Sequence, residues 1–496
     1  MSAGDGREGV IRSKASRGRL GGKLAGLTLP QQIRAIAFWP FLEQVLNFVV
    51  TTSDQIFATR LGNTPNDTIA IADGMGAVVF LVWFGFVMQG SIMMGATAII
   101  ARMTGARKFN TAQDGLIQAS ILGFIAGGFS CLLMYTCSDW LMSNILTMSD
   151  LARSYAMQYM RVVAFVAPFS GVVFAINASL RGSGDTRLPF WIMLNVSVVN
   201  VLFCFIFVYS GFGLAGIAGS TIIGFSSSLI ILVTILFKRH KKLFGNSHDC
   251  DVDQLCLQKE KTYTPPLFFS HHLFKWDFSM QKRILKVGIP QAIEVFGIWG
   301  IQMFCLSIIS KLSIPGALGV HNIAIRIESL SFLPGFAIGM ASSTLVGQYL
   351  GARNTLLARI TIWKCLKYAV IFMSILGVLF FVFPSLWISI FTPGNEAILQ
   401  SGTPVLRTML LVEPVFAACI IMKMSLRGAG DTKRVMIISY VVMSFFRMLV
   451  PWLWFTYSPS TISLWGIWLL FAFEMFIQTI IFYRIIKGDS WTKLQI

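Results

Sequence analysis

The chain has 496 residues, of which 55% are hydrophobic and only 12% charged, and its formal net charge is +18. Soluble domains carry roughly 25% charged residues, so water is excluded as the main solvent and no separate soluble domain fits. Nor does the basic excess mark a nucleic-acid binder, because it is dealt into alternate connections between apolar runs rather than gathered in one stretch.

A basic tail (1–35) comes first. Apolar runs follow near 36–57, 72–101, 115–136, 156–179, 188–210 and 214–237, each long enough to supply the ~20 residues that cross a bilayer. A polar, proline-interrupted segment (238–286) reads as a cytoplasmic linker. Six more runs lie near 287–310, 317–347, 365–390, 403–426, 435–456 and 463–486, before a short C-terminal tail (487–496). The expected fold is an all-α polytopic membrane protein: twelve transmembrane helices in two six-helix pseudo-symmetric lobes, an N-lobe (36–237) and a C-lobe (287–486).

Basic residues crowd into 7–23, 102–108, 238–286, 353–359, 427–434 and 484–493, whereas the intervening connections hold Arg60, Arg153 and Lys311. Positive charge resists translocation. Both termini are therefore expected in the cytoplasm of a multi-pass protein of the cell (inner) membrane, with the lipid bilayer as its partner and no nucleic acid. No apolar segment with a cleavage site precedes Leu20, so no cleaved signal peptide is expected.

Leu-Arg-Gly-Ser-Gly-Asp-Thr at 180–186 returns as Leu-Arg-Gly-Ala-Gly-Asp-Thr at 426–432, and Gly105-Ala106-Arg107 returns as Gly351-Ala352-Arg353. Both pairs stand at one and the same offset, which makes the second half of the chain a copy of the first. A fixed-offset repeat of membrane spans is a mark of secondary transporters. The glycine-rich copies lack a Lys-Ser/Thr ending and a preceding soluble strand, so they are not phosphate loops. Glycine is expected to turn the chain there, and Asp-Thr to cap the helix that follows.

His248, Cys250, Cys256, His271 and His272 in the linker match no common zinc spacing, and no metal is expected. Cys131, Cys204, Cys305, Cys365 and Cys419 fall within apolar runs, where a thiol acts as a small hydrophobe. No disulfide framework is expected.

Charges inside the hydrocarbon cost at least ~2.5 kcal/mol each on insertion scales, and Glu43, Asp54, Asp73, Glu294, Arg326, Glu328, Glu413, Arg447 and Glu474 lie in or beside the runs. Asp54 has no basic residue one helical turn away, since Arg60 is six positions on. It must reach water or take a proton or cation from a cavity. Glu43 and Glu294 each follow a membrane proline, Pro40 and Pro290, in corresponding places of the two halves. Glu294 is a second coupling candidate, and Glu43 and Asn177 are candidate polar groups of the cavity.

The stretch 40–62, the two Leu-Arg-Gly-x-Gly-Asp-Thr copies, Ile325-Arg326-Ile327-Glu328-Ser329 through Gly351-Ala352-Arg353, and Arg447-x3-Pro451 together resemble the multidrug and toxic compound extrusion (MATE) family. Pro290-Gln-Ala-Ile-Glu294 and the Arg-Ile-Glu-Ser segment resemble its DinF-type branch. The resemblance implies two six-helix lobes around a cavity and export of drugs against inward flow of H+ or Na+. It places Asp54 on the family's first-helix carboxylate and Asn200 on the fifth-helix asparagine of the same N-lobe cation site. It also exposes departures: Cys204 stands where the family often has Asp, and Gly224 where it has Thr, with Thr221 about one turn earlier. Fewer oxygen ligands favour H+ over Na+.

The function expected is that of a monomeric secondary antiporter, not an enzyme, exporting amphipathic or cationic small molecules in exchange for H+ or Na+ and needing no bound cofactor. Forty-two Phe, twenty-three Met and thirteen Trp suit an adaptable apolar cavity. Two alternatives are a flippase for a lipid-linked saccharide precursor, which would favour several cavity arginines where Arg161, Arg326, Arg407 and Arg447 are available but form no evident cluster, and a membrane-embedded enzyme, for which no nucleophile and base pair appears. His321 stands alone.

Overall fold

A computed structural model describes residues 20, 24–59, 61, 64–144, 149–245, 252–253, 266–269, 276–312, 317–391, 396–458 and 461–494. The linker histidines and cysteines lie outside them. Among the described residues the fold is helical and free of strands.

The first half runs α1 (Leu29–Thr59), α2 (Pro65–Gly105), α3 (Phe109–Asn144), α4 (Asp150–Val163), α5 (Val166–Ser183), α6 (Arg187–Tyr209) and α7 (Gly213–Phe244). The second runs α8 (Phe278–Ile309), α9 (Ala317–Gly351), α10 (Thr355–Val382), α11 (Pro384–Phe391), α12 (Glu396–Gly428), α13 (Thr432–Met443), a π-helical turn (Ser444–Leu449), α14 (Val450–Tyr457) and α15 (Leu464–Lys487). With α4–α5 and α13–α14 each taken as one span, and α11 left out as too short to cross, these are twelve, six to a half. Among the described residues nine helices are long and apolar enough to cross a bilayer, or eleven if two bent pairs count as one span each. In hydrocarbon a helix satisfies its own backbone, which is why apolar runs of this length fold this way.

Both bent pairs carry the duplication. The break between α4 and α5 and the break within α12 each turn the axis by 52°. Pro168 and Pro414, which stand at the offset of the repeated motifs, sit just beyond the two breaks. Each removes a backbone donor and crowds the carbonyl four residues back, which is the ordinary cause of a kink.

The repeated motifs close helices in matching ways. Gly184 (φ 93°) and Gly430 (φ 90°) are left-handed, and Asp185 N donates to Leu180 O at 2.9 Å just as Asp431 N donates to Leu426 O at 2.9 Å. Arg107 (φ 59°) and Arg353 (φ 56°) repeat the device at the ends of α2 and α9. The expected side-chain cap is missing at the two positions that directly precede the next helices, Thr186 and Asp431. Ion pairs take the carboxylates instead, Asp185 with Arg239 at 2.8 Å and Asp431 with Arg434 at 3.3 Å.

Two compact units result. Among the described residues one takes in Leu42–Ala292, the other Leu27–Phe41 and the chain from Ile293 onward, so the boundaries fall inside α1 and α8. In the first, Gly95 and Gly288 let α2 and the opening turns of α8 meet at backbone distance: a Cβ at either would lie 2.3 Å from Ile284 O or Ser91 O. Parts of the linker pack there too, with Phe268 buried and Asp253 accepting from Phe109 N at 2.8 Å at the start of α3. In the second, Tyr349 donates to Gln32.

Candidate functional site

In the first unit α1, α4, α6 and α7 bring a set of polar groups together within the span region. Asp54 on α1 interacts electrostatically with Tyr159 on α4 and Cys204 on α6. Tyr159 pairs with Thr221 on α7, and Cys204 with Ser220. Asn200 closes the set, its Nδ2 donating to Thr221 Oγ1 at 2.9 Å and to Ser220 Oγ at 3.2 Å. Gly224 makes this approach possible, since a Cβ there would meet Val196 O at 3.0 Å.

Asp54 Oδ1 and Asn200 Oδ1 are both buried acceptors without a hydrogen-bond donor among the described residues. Buried polar atoms are nearly always partnered, so two such oxygens in one cluster set it apart from the surrounding spans. Thr221, about one turn before Gly224, is the threonine whose hydroxyl Asn200 reaches. Tyr159 and Ser220 carry no charge, so nothing in the sequence sets them apart from the other hydroxyl side chains of the spans.

Glu43, Asn177 and Glu294 are placed differently. Arg181 NH1 donates to both carboxylate oxygens of Glu43 at 2.9 Å, with both side chains buried. In the second unit Arg427 NH2 approaches Glu294 Oε2 at 2.9 Å as a charge contact without a directed hydrogen bond, Lys423 stands 3.9 Å away and Ser439 donates to Oε1 at 2.8 Å. Arg181 and Arg427 are the arginines of the repeated motif. The carboxylates of Glu43 and Glu294 are thus matched by cations of the protein itself. Asn177 is fully buried with neither amide atom partnered among the described residues. Its repeat position is Lys423.

A second polar cluster lies in that unit. Arg447 pairs with Glu474 at 2.7 Å and donates to Gln302 Oε1 at 3.2 Å. Ser331 donates to Glu413 Oε1 at 2.6 Å, and Glu328 interacts with Glu413, Glu474 and Arg447. His321 packs edge-on against Trp468 and Phe471 with both ring nitrogens unpartnered. Among the described residues no three His, Cys, Asp or Glu side chains are grouped as a metal site.

Similarity to known proteins runs over most of the chain. The MatE family model matches residues 40–206 and 290–453, one match in each half. A curated relative from Thermotoga maritima, "Probable multidrug resistance protein NorM", is 28% identical over 428 residues, covering 85% of each chain. "Uncharacterized transporter YisQ" of Bacillus subtilis is 22% identical and covers 92% of this chain and 94% of its own. Among solved structures, the outward-facing conformation of a multidrug resistance MATE family transporter of the MOP superfamily superposes with a TM-score of 0.82 at 19% identity, over 98% of this chain and 99% of that one. A MOP superfamily transporter from Pyrococcus furiosus gives 0.80 at 19% identity, with the same coverage.

Proposed function

Because the chain belongs to the MatE family of membrane transporters, we propose that it is a secondary active antiporter that exports amphipathic or cationic small molecules in exchange for H+ or Na+. Relatives named as multidrug resistance proteins support the substrate class. One observation carries the coupling: Asp54 is a buried carboxylate whose Oδ1 has no donor, beside an equally orphaned Asn200 Oδ1.

An ionised, unpaired carboxylate in hydrocarbon is costly, and a proton or small cation relieves that cost. Substrate leaving and ion binding are then linked, since the unit exists in an ion-loaded and an ion-free state of different polarity. Tyr159, Asn200 and Thr221 supply neutral oxygens beside the carboxylate, and Cys204 supplies a thiol. This donor set suits a proton better than Na+, which prefers several hard oxygen ligands. We assign coupling to Asp54 with Asn200, and a structural part to Glu294, whose charge Arg427 and Lys423 match. The protein then works as a monomer in the cell membrane with both termini in the cytoplasm.

A flippase for a lipid-linked saccharide needs free guanidinium groups for a diphosphate. Of the arginines that reading would draw on, Arg447 is committed to Glu474, and the buried arginines of the repeated motif, Arg181 and Arg427, are likewise held by carboxylates, which disfavours it. Counterflow of a fluorescent cation in proteoliposomes, with H+ and Na+ gradients imposed separately, tests the antiporter. Movement under neither gradient contradicts it.

A further inference from the structure

The duplication allows the N-terminal site to be traced, residue by residue, into the second half. Counting from the two paired glutamates, Glu43 and Glu294, the position of Asp54 becomes Cys305. At the common offset of the repeated motifs, Tyr159 becomes Val405. Close contacts set the register of the last two spans: Gly216 abuts Phe207, and Gly466 abuts Trp454. Matching Gly216 with Gly466 carries Thr221 onto Phe471 and Gly224 onto Glu474. Matching Phe207 with Trp454 needs an offset one position longer than the one that holds before the span begins.

That extra residue has a visible seat. The fifth span of the first half, α6, is α-helical throughout, whereas its counterpart breaks into a π-helical turn at Ser444–Leu449. A π turn absorbs one inserted residue and re-aims the side chains in it, and such turns concentrate at functional sites. Beyond the insertion Asn200 corresponds to Arg447. The contacts agree, because Asn200 touches Thr221 and lies over Gly224, while Arg447 lies 4.1 Å from the Phe471 ring centre and binds Glu474 at 2.7 Å.

We propose that the second unit holds a copy of the cation site whose cation is built in: the Arg447 guanidinium stands where the first unit admits a proton or Na+, with Glu474 as its anion. This rests on the reading of Asp54 as the exchangeable site. Every neutral oxygen of that site has gone from the copy, Tyr159 giving way to Val405, Asn200 to Arg447 and Thr221 to Phe471. The carboxylate has moved from the first helix, now Cys305, to the last. A guanidinium that makes its own forked contacts to Glu474 and lies on an aromatic face needs none of those ligands. Cys305, His321, Glu328 and Glu474 all interact with Arg447. Glu328 and Glu413 correspond to Val82 and Ala167 in the first half, so they are additions outside the copied set. At this position the second unit exchanges nothing, and exchange at the copied positions belongs to the first.

The test removes the tether and offers a replacement. Thermal stability of the purified full chain is measured in an Asp54→Asn background, in N-methylglucamine buffer, with Na+ or millimolar guanidinium added at constant ionic strength. With Arg447 intact, neither cation should shift Tm. Arg447→Ala should lower Tm, and guanidinium, Na+ or both should restore much of the loss. Adding Glu474→Gln should abolish that rescue, which a site formed by Glu328 and Glu413 would not predict. If Arg447→Ala gives no folded protein, its folded yield is expected to return when membranes are solubilised with guanidinium. A loss that neither cation repairs, in Tm or in yield, overturns the proposal, as does rescue that survives Glu474→Gln. The parental protein with Asp54 in place reports separately on the first site: if H+ and Na+ leave it unaffected, the reading of Asp54 fails whatever Arg447 does.

Discussion

Arg181 and Arg427, equivalent positions of the repeated motif, each close a buried ion pair with a glutamate on the opening helix of the same half, Glu43 in one and Glu294 in the other. The pairing ties α5 to α1 and α12 to α8. Removing one partner strands a charge in a low-dielectric interior, at a cost of about 3–5 kcal/mol. Glu43→Gln is therefore expected to lower Tm and folded yield markedly, whereas transport per folded molecule persists. Glu43→Gln combined with Arg181→Gln should recover much of the loss. A stable Glu43→Gln protein that no longer transports would move Glu43 into the coupling machinery.

Repeated glycines differ in how tightly they are held. A Cβ on Gly182 would meet Thr97 O at 2.9 Å, and one on the equivalent Gly428 would meet Ser343 O at 2.2 Å. Overpacking typically costs about 1–3 kcal/mol. Gly428→Ala should destabilise more than Gly182→Ala, measured as Tm of the two variants in one detergent. Equal or reversed effects would contradict the packing described.

Asp431 does not cap its helix, so its substitution should do little harm. Burial pushes its carboxyl above the ordinary value of 3.8, against the pull of Arg434. The folded state thus holds the proton more tightly than the unfolded one. The stability this lends is present at low pH and is lost as pH rises from 3.8 through the folded value. The Arg434 partner is substantially exposed and offsets little. Asp431→Asn should keep or raise Tm at neutral pH and flatten its acid-side dependence. A clear loss of stability at neutral pH would restore a structural role for the ionised group.

The topology has its own test. Cysteines at Ser13 and Ser270, both outside the described residues, should resist membrane-impermeant thiol reagents in intact cells, because basic flanks stay in the cytoplasm. Ready labelling at either would invert the orientation.

Much of the fold was legible because membrane solvation leaves few choices: apolar runs become helices, and a repeat at one offset predicts matching turns, as Gly184 and Gly430 bear out. The shared 52° bend could also have been read, from Pro168 and Pro414 at the same spacing. The site was less legible. Asp54 was visible as an unpaired charge and Asn200 through the family resemblance, but Tyr159 and Ser220 acquire meaning only through neighbours on other helices. Arg181 and Arg427 looked like turn residues because their motif ends a helix, and their long side chains reach partners far away in sequence. Arg447 was visible as a charge in the spans, but its correspondence to Asn200 was hidden by a π turn of one extra residue, which a fixed offset steps over.

The central claim is that Asp54 carries the exchanged ion, and export by Asp54→Asn in proteoliposomes under separately imposed H+ and Na+ gradients tests it most directly. The parental protein should export a fluorescent cation under the proton gradient. The variant should fold, insert and still bind substrate, while gradient-driven export is abolished. Full export by Asp54→Asn under a proton gradient would contradict the account and move the carrier to another carboxylate.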